Sequence, residues 1–399
     1  MKQARERPKV VSLFSGVGGL DLGLEMAGFD TVAMVEADGL CVASLRANQE
    51  RVVQSPSGPI RAFHGARIVH ARIETVDAES LRGEGVALLA GGPPCQPFSP
   101  AGKLRSLEDP RGNLFRQFVR IADALKPPLI LLENVQGLVT AKGPKGIPGE
   151  VLALVRAEFE SLGYGVRVAV LNAADYGVPQ RRVRFFLIAA RHGELPAFPE
   201  PTHARAASEP SLFSAKPWVG IREAIGGMPD PDDSEVDRPK PELEARLLEL
   251  TPGTGLKTGA IVEANRPGGH WGYRQDCFVA DTSIPSRTIR TLPSPDWIYD
   301  RSGRLRRLTW RECTVLQGFP GDWEFVGSRS GKFKQIGNAV PPPLAFHLGR
   351  VLREAAESLD KNAPAPRSAE TPRNLVQAIK KTISENRVNQ ESRANPVWL

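Results

Sequence analysis

The chain has 399 residues, of which 41% are hydrophobic and 24% charged, and it carries a formal net charge of +7. This is ordinary globular composition, and the length suggests two domains. The four cysteines show no CxxC spacing, which disfavours a structural zinc site or a disulfide framework. No apolar run reaches the roughly 18 residues that span a bilayer, and no signal-type segment follows the charged N-terminus. We therefore expect a cytoplasmic protein without a metal ion or a membrane partner.

In the first half of the chain, short apolar runs alternate with helical segments. Leu20, Leu24 and Ala27 share one face of a predicted helix, and Gly28 is its expected stop. The apolar runs predict strands at residues 10–14, 31–35, 86–90, 129–132 and 183–190. Continuous apolar strands separated by helices are typical of a parallel sheet covered on both faces. The sequence therefore predicts an α/β fold.

The second half has a different character. After Arg191 proline and then glycine become frequent, which predicts a smaller, loop-rich unit with short strands. Three prolines at 341–343 open a final helical segment, and beyond Asp360 the polar composition predicts a mobile tail. Between Arg301 and Lys334 eight basic residues stand against three acids, a net charge of +5. This stretch fits a polyanionic partner and a solvated basic face equally well.

The segment Phe14–Gly19 is rich in glycine and lies between a predicted strand and a predicted helix. Glycine lets the backbone turn sharply and approach a ligand closely, with the helix N-terminus behind it. Glu36 ends the second strand, 20 residues after Gly16, where an acid can bind ribose hydroxyls. Nicotinamide, flavin and adenosylmethionine cofactors all suit this arrangement, and a tight turn without a ligand is the alternative.

A cysteine and a glutamate follow two neighbouring predicted strands. A lone cysteine is usually a small buried hydrophobic residue, which is our interpretation of Cys41 and Cys313. Cys95 instead follows a strand end, two glycines and two prolines, a position that favours a nucleophile. Glu133 ends the next strand, so the two side chains are predicted to share one sheet edge as nucleophile and acid. The alternative for Glu133 is a helix cap.

Arginines lead into the last predicted strand. Strand alternation places Arg182 and Arg184 on one face. Arginines at the start of a buried strand are costly without an anionic partner, so a functional role is favoured.

Taken in order, these elements resemble the DNA (cytosine-5) methyltransferase family, in its bacterial, restriction-modification type. The resemblance covers roughly residues 9–190 and 287–359. The segments that carry it are Phe14–Gly19, Glu36, Pro94-Cys95-Gln96, Glu133-Asn134-Val135, Gln180 with Arg182 and Arg184, and Gly337-Asn338-Ala339-Val340-Pro341.

The resemblance implies a fold and a division of the chain. It implies a Rossmann-like, S-adenosyl-L-methionine-dependent methyltransferase domain with a mixed, mostly parallel sheet, and a smaller loop-rich target-recognition domain. The implied boundaries are 8–190 for the catalytic and cofactor-binding domain and 191–334 for target recognition. Residues 335–359 would then return to the catalytic domain, and 360–399 would form the tail.

The resemblance also implies a reaction and its residues. The Cys95 thiolate would add to C6 of a cytosine flipped out of duplex DNA, and Glu133 would protonate N3 while C5 receives the methyl group. The implied catalytic residues are Cys95, Glu133, Arg182, Asn134 and Gln96. The implied cofactor-binding residues are Phe14, Ser15, Gly16, Gly18, Gly19, Leu20, Glu36, Ile73, Pro94, Asn338 and Val340. The candidates for DNA contact are Ser99, Arg184, Arg266, Arg274 and Gln275.

One position departs from the family pattern. The family often has Gly-Asp-Ile after the third strand, where the acid meets the adenine amino group. The counterpart here is Ala71-Arg72-Ile73, in which Arg72 replaces the acid. Ile73 can still pack on an adenine, and Asp77 is the candidate substitute for the missing carboxylate.

Three other functions compete with this interpretation. A nicotinamide-dependent dehydrogenase would share the glycine loop but would leave the Cys95 and Asn338 motifs unexplained. An RNA cytosine-5 methyltransferase would share the mechanism, and a catalytically silent DNA-binding regulator would share the fold. The resemblance further implies a monomer near the nucleoid, acting with a restriction endonuclease or other defence proteins.

Overall fold

A computed structural model describes residues 6–83, 85–94, 113–205, 215–256 and 277–394, with backbone alone at 113 and 385–394. Its first nine strands are β1 (Lys9–Leu13), β2 (Asp30–Glu36), β3 (Val52–Ser55), β4 (Gly58–Arg61), β5 (Arg67–His70), β6 (Val86–Gly91), β7 (Leu129–Val135), β8 (Gly165–Asn172) and β9 (Val183–Ala190). Seven of them form one sheet in the order β5-β2-β1-β6-β7-β9-β8, and β3 pairs with β4 in a hairpin.

The central sheet is mixed. Strands β5, β2, β1, β6 and β7 run parallel, whereas β9 is antiparallel to both β7 and β8. The α/β fold and the five strands predicted from apolar runs are confirmed. The sequence pattern did not predict β5 and β8, because both mix polar residues with apolar ones at the edges of the sheet.

Helices cover both faces of the sheet. The α-helices of the described ranges are α1 (Gly19–Met26), α2 (Gly39–Asn48), α3 (Asn113–Leu125), α4 (Glu150–Ser161), α5 (Ile221–Ile225), α6 (Pro241–Leu248), α7 (Trp310–Leu316), α8 (Arg329–Asn338), α9 (Pro342–Glu357) and α10 (Arg373–Ala394), of which α6 packs on a second sheet instead. The expected stop of α1 near Gly28 is confirmed. Helix α9 packs against α1 through buried Leu24 and Leu348, so a helix from the C-terminal part of the chain joins the core of the N-terminal part. No helix in the described ranges is long and apolar enough to cross a membrane.

The region after residue 191 holds short strands and long loops, as predicted. Its strands are β10 (His203–Ala204), β11 (Lys216–Pro217), β12 (Thr254–Gly255), β13 (Phe278–Val279), β14 (Trp297–Tyr299) and β15 (Leu305–Arg307). The last four form a second sheet, which shares a small core with α6.

Residues after Asp360 differ from the expected mobile tail. Ala369 N donates to the Val166 carbonyl at 2.9 Å, and Val166 N donates to the Ser368 hydroxyl at 3.0 Å. The tail therefore follows the outer edge of β8 and satisfies backbone groups that an edge strand leaves open. Helix α10 then buries Leu375 in the main core. Composition alone missed this because a few apolar residues on one face are enough to dock a polar helix.

The packing of α10 can be tested with two substitutions on that helix. Leu375→Ala removes a side chain that is 4% exposed and should lower the free energy of unfolding by about 2–4 kcal/mol. Ile383→Ala, at a residue that is 44% exposed, is the control and should change it by about 0.5 kcal/mol or less. Urea denaturation measures the free energy of unfolding of both variants. Equal, small effects would show that α10 does not pack on the core.

Candidate active site

A cavity of about 620 Å³ opens where β1, β2, β6 and β7 end. Ligands of open α/β sheets bind at this edge, beyond the carboxyl ends of the parallel strands. Nine of the residues predicted to bind a cofactor line it: Phe14, Ser15, Gly16, Leu20, Glu36, Ile73, Pro94, Asn338 and Val340. Gly18 and Gly19 lie outside the lining. Glu133, Asn134, Arg182 and Arg184 line the same cavity, so it joins both groups of candidate residues.

The Glu36 carboxylate is held by the backbone around it. One oxygen accepts the N–H of Gly16 at 2.7 Å, and the other accepts the N–H groups of Ala37 and Asp38 at 2.8 and 2.7 Å. A carboxylate has about four acceptor positions, so the oxygen bonded to Gly16 can accept one further hydrogen bond from a ligand. Glu36 is thus fixed in orientation and still able to bind a hydroxyl.

Asp21, which the sequence analysis did not single out, lies at the floor of the cavity. It is fully buried, and neither carboxylate oxygen has a hydrogen-bond partner in the described part of the chain. Burial raises the pKa of Asp21 to about 6. The nearby Ser12 hydroxyl, which lies 2.9 Å from the Ser15 hydroxyl, and the backbone N–H of Asp21 itself oppose this rise, and the charge of Glu36 adds to it. An acid between the apolar residues Leu20 and Leu22 of the predicted helix is the sequence signal that could have revealed this group.

Glu133 and Arg184 form an ion pair at the cavity wall. The Arg184 Nε lies 3.2 Å from a Glu133 oxygen, and their side chains are 14% and 12% exposed. The antiparallel register sets Val135 opposite Arg184 and therefore brings the guanidinium to the end of β7. Burial raises the pKa of Glu133, and it outweighs the opposing charges of Arg184 and Arg182. Glu133 can therefore stay protonated at a higher pH than an ordinary glutamate.

Arg182 lies just before β9 rather than within it. It is 1% exposed, and its guanidinium donates to the carbonyls of Gly337 at 2.8 Å and Ile289 at 3.4 Å. Burial lowers its pKa well below the usual value. The expected anionic partner is thus present for Arg184, whereas Arg182 bonds to backbone carbonyls that lie more than 100 residues further along the chain.

The segment before the predicted nucleophile reaches the cavity. The Asn134 amide donates to the Pro93 carbonyl at 3.1 Å, and its oxygen accepts the N–H of Val135 at 2.8 Å. This holds the end of β7 against the loop that leaves β6. Pro94 lines the cavity. Cys95, Gln96, Ser99, Arg266, Arg274 and Gln275 lie outside the described residues, so their predicted roles stay predictions.

The departure at Arg72 has a local counterpart. Arg72 lines the cavity and forms an ion pair with Glu74 at 3.1 Å, and Glu74 lines the cavity as well. Asp77 does not contribute to the lining. Glu74, rather than Asp77, is thus the carboxylate closest in sequence to Ile73 that faces this space.

The basic stretch between Arg301 and Lys334 is largely neutralised by acids, most of which lie outside the stretch. At least six of its eight basic residues form ion pairs with acids of the described ranges: Arg301 with Asp230, Arg304 with Asp300, Arg306 with Glu312, Arg311 with Glu235, Arg329 with Asp237, and Lys334 with Asp38. The Arg306–Glu312 pair is buried. The charge of this stretch is therefore not evidence for a polyanion-binding face. Within the described ranges no group of three or more His, Cys, Asp or Glu residues could hold a metal ion.

Comparisons with known proteins agree with this site. Residues 8–354 match the family model described as C-5 cytosine-specific DNA methylase. The Type II methyltransferase M.NgoFVII of Neisseria gonorrhoeae is 34% identical, covering 88% of this chain and 87% of its own. Type II methyltransferase M.PspPI of Psychrobacter sp. is 33% identical, covering 86% and 78%. The solved structure of a prophage-encoded E. coli protein shares the fold, with a TM-score of 0.62 and 21% identity, covering 88% of this chain and 100% of its own.

Two glycines of the loop should respond differently to alanine. A Cβ at Gly19 would lie 2.2 Å from the Val340 carbonyl oxygen, so Gly19→Ala should lower the free energy of unfolding by about 2 kcal/mol or more. Gly16 has a φ of +57° but open space around its Cβ position, so Gly16→Ala should cost only about 1–2 kcal/mol of backbone strain. Chemical denaturation compares the free energies of unfolding of the two variants with that of the wild type. A larger loss for Gly16→Ala would contradict the close contact of Gly19 with Val340.

Proposed function

Because the chain belongs to the C-5 cytosine-specific DNA methylase family, we propose that it methylates C5 of a flipped-out cytosine through a covalent bond between Cys95 and C6. The chain is a DNA (cytosine-5) methyltransferase, and its family uses S-adenosyl-L-methionine. The observation that carries the proposal is the single cavity in which an acid of raised pKa, Glu133, faces the same space as the glycine loop and Glu36.

The residues of the cavity fit the methyl donor. Glu36 retains an acceptor position for a ribose hydroxyl, Ile73 offers an apolar surface, and the Phe14–Gly16 turn brings backbone close to the ligand. Asn338 and Val340 close the other side. When bound, the donor supplies an electrophilic methyl group on a sulfonium.

The chain's own residues prepare the cytosine. The Cys95 thiolate adds to C6, which makes C5 electron-rich, while Glu133 donates a proton to N3 so that negative charge does not accumulate on the ring. C5 then takes the methyl group and loses its proton to solvent. Cys95 is expelled as N3 returns its proton to Glu133, which restores the C5–C6 double bond and the starting state of the enzyme. Arg182 would bind the O2 side of the ring, and Asn134 would hold the loop that carries Cys95. Arg184 keeps Glu133 oriented through their ion pair.

Target choice and biological context follow by analogy. Residues 191–334 would form the target-recognition domain, and Ser99, Arg266, Arg274 and Gln275 stay candidates for reading DNA. The relatives are named Type II methyltransferases, which supports a restriction-modification or other anti-phage defence role beside a cognate endonuclease. We place the chain in the cytoplasm, near the nucleoid, as a monomer.

Substrate class separates this proposal from its rivals. Tritium from labelled S-adenosyl-L-methionine should enter duplex DNA and not transfer RNA, and Cys95→Ser should abolish transfer while cofactor binding persists. Transfer to RNA alone would favour the RNA methyltransferase alternative. Cofactor binding without transfer to either substrate would favour a silent regulator. Normal turnover by Cys95→Ser would exclude Cys95 as the nucleophile.

The role of Glu133 can be tested by rate and by pH. Glu133→Gln should slow methyl transfer by about 10²-fold or more, the usual scale for a lost general acid. Because burial raises its pKa, the wild-type rate should fall only as the pH rises through that raised value, and this alkaline fall should vanish in the variant. Single-turnover rates, measured across a range of pH, give both the loss of rate and the change in pH dependence. Glu160→Gln, at a side chain on α4 that is 40% exposed and pairs with Arg156, is the control and should change neither the rate nor its pH dependence. An unaffected rate would remove Glu133 from the mechanism.

A further inference from the structure

We propose that Asp21 is a cofactor-binding residue whose negative charge faces the sulfonium of the methyl donor and makes the site favour the charged donor over its neutral product. The product, S-adenosylhomocysteine, differs from the donor by the loss of one methyl group and of the positive charge. This inference rests on the proposed function, because it concerns the ligand of the same cavity.

The sheet order determines where the sulfonium has to lie. Glu36 ends β2 and Glu133 ends β7, and the neighbours between them are β1 and β6. With strands about 4.8 Å apart, three intervals separate the two acids by roughly 14 Å. A donor whose ribose binds Glu36 and whose methyl group reaches a base beside Glu133 therefore carries its sulfur over the end of β1. Ser12 and Asp21 line the cavity at that place.

Asp21 differs from the other acids of the cavity because, among the described residues, its carboxylate oxygens have neither an ion-pair partner nor a hydrogen-bond partner within bonding distance. Glu36 accepts three backbone N–H groups. Glu133, Asp38 and Glu74 each form an ion pair with a basic residue. Within the described lining, Asp21 is the carboxylate whose two oxygens are buried and unbonded. A buried carboxylate without a partner is costly, and a cationic ligand at the end of β1 would supply one.

A purely structural role for Asp21 makes a different prediction. Asp21 lies in the first turn of α1, where an acid interacts favourably with the helix dipole. It also lies near the Ser12–Ser15 hydroxyl pair. Either role would affect folding or the shape of the loop, and both ligands would then lose affinity together. Only a charge directed at the sulfonium separates the two ligands.

The experiment compares the affinities of the full chain for S-adenosyl-L-methionine and S-adenosylhomocysteine by titration calorimetry. Asp21→Asn, which removes the charge but keeps the shape, should weaken donor binding about tenfold, the scale of one charged contact, and change product binding less than twofold. Glu25→Gln is the matched control. Glu25 is a second buried carboxyl on α1, but it accepts the N–H of Phe63 at 2.8 Å and does not line the cavity. Its substitution should leave the affinity ratio unchanged.

Each outcome decides a different claim. Equal losses for both ligands in Asp21→Asn, or no change in either, would overturn the role of Asp21 and leave the proposed function standing. A wild-type chain that binds neither ligand would overturn both. If Asp21→Asn does not fold, Asp21→Ser provides a smaller neutral side chain that can join the Ser12–Ser15 pair, and the same change in affinity ratio is expected.

Discussion

A carboxylate and two guanidinium groups are buried together where β7 and β9 meet, and this cluster constrains the rest of the structure. Removing such charges from water is expensive, and an ion pair offsets that cost only when its geometry is good and its remaining hydrogen-bonding groups are satisfied. Here the antiparallel register of β9 carries Arg184 to Glu133. Carbonyls from distant segments accept from Nη1 and Nη2 of Arg182, whereas its buried Nε has no partner among the described residues. A cluster of this cost is expected where an acid of raised pKa and a fixed cation serve chemistry rather than stability.

The same cluster ties the end of the chain to its beginning. Arg182 donates to Gly337, and Gln180 bonds to Gln317, which in turn donates to the Ala339 carbonyl at 2.6 Å. These bonds position residues 337–340 so that Asn338 and Val340 complete the cavity that the glycine loop also lines. The segment that carries Gln180 and Arg182 and the segment around Asn338 are therefore linked directly. A change at any of these bonds is expected to affect both ligand binding and folding.

Much of the fold and of the candidate site was predictable because it depends on local pattern. Apolar runs marked the strands, and the strand ends placed Glu36 and Glu133 at one edge of the sheet. Features that depend on distant partners were not predictable. The pairing of basic residues 301–334 with acids elsewhere, the docking of α10, and the isolation of Asp21 all require residues that the sequence pattern does not bring together.

The central claim is a covalent bond between Cys95 and cytosine C6, and a trapped adduct tests it most directly. In duplex DNA copied with 5-fluorocytosine, methyl transfer leaves fluorine where a proton should depart. Fluorine cannot leave as a cation, so Cys95 cannot be released. After incubation with S-adenosyl-L-methionine and digestion, mass spectrometry should find the methylated fluorocytosine nucleotide on the peptide that contains Cys95. A nucleotide on a peptide containing Cys41, Cys277 or Cys313, or methylated DNA without any adduct, would contradict the account.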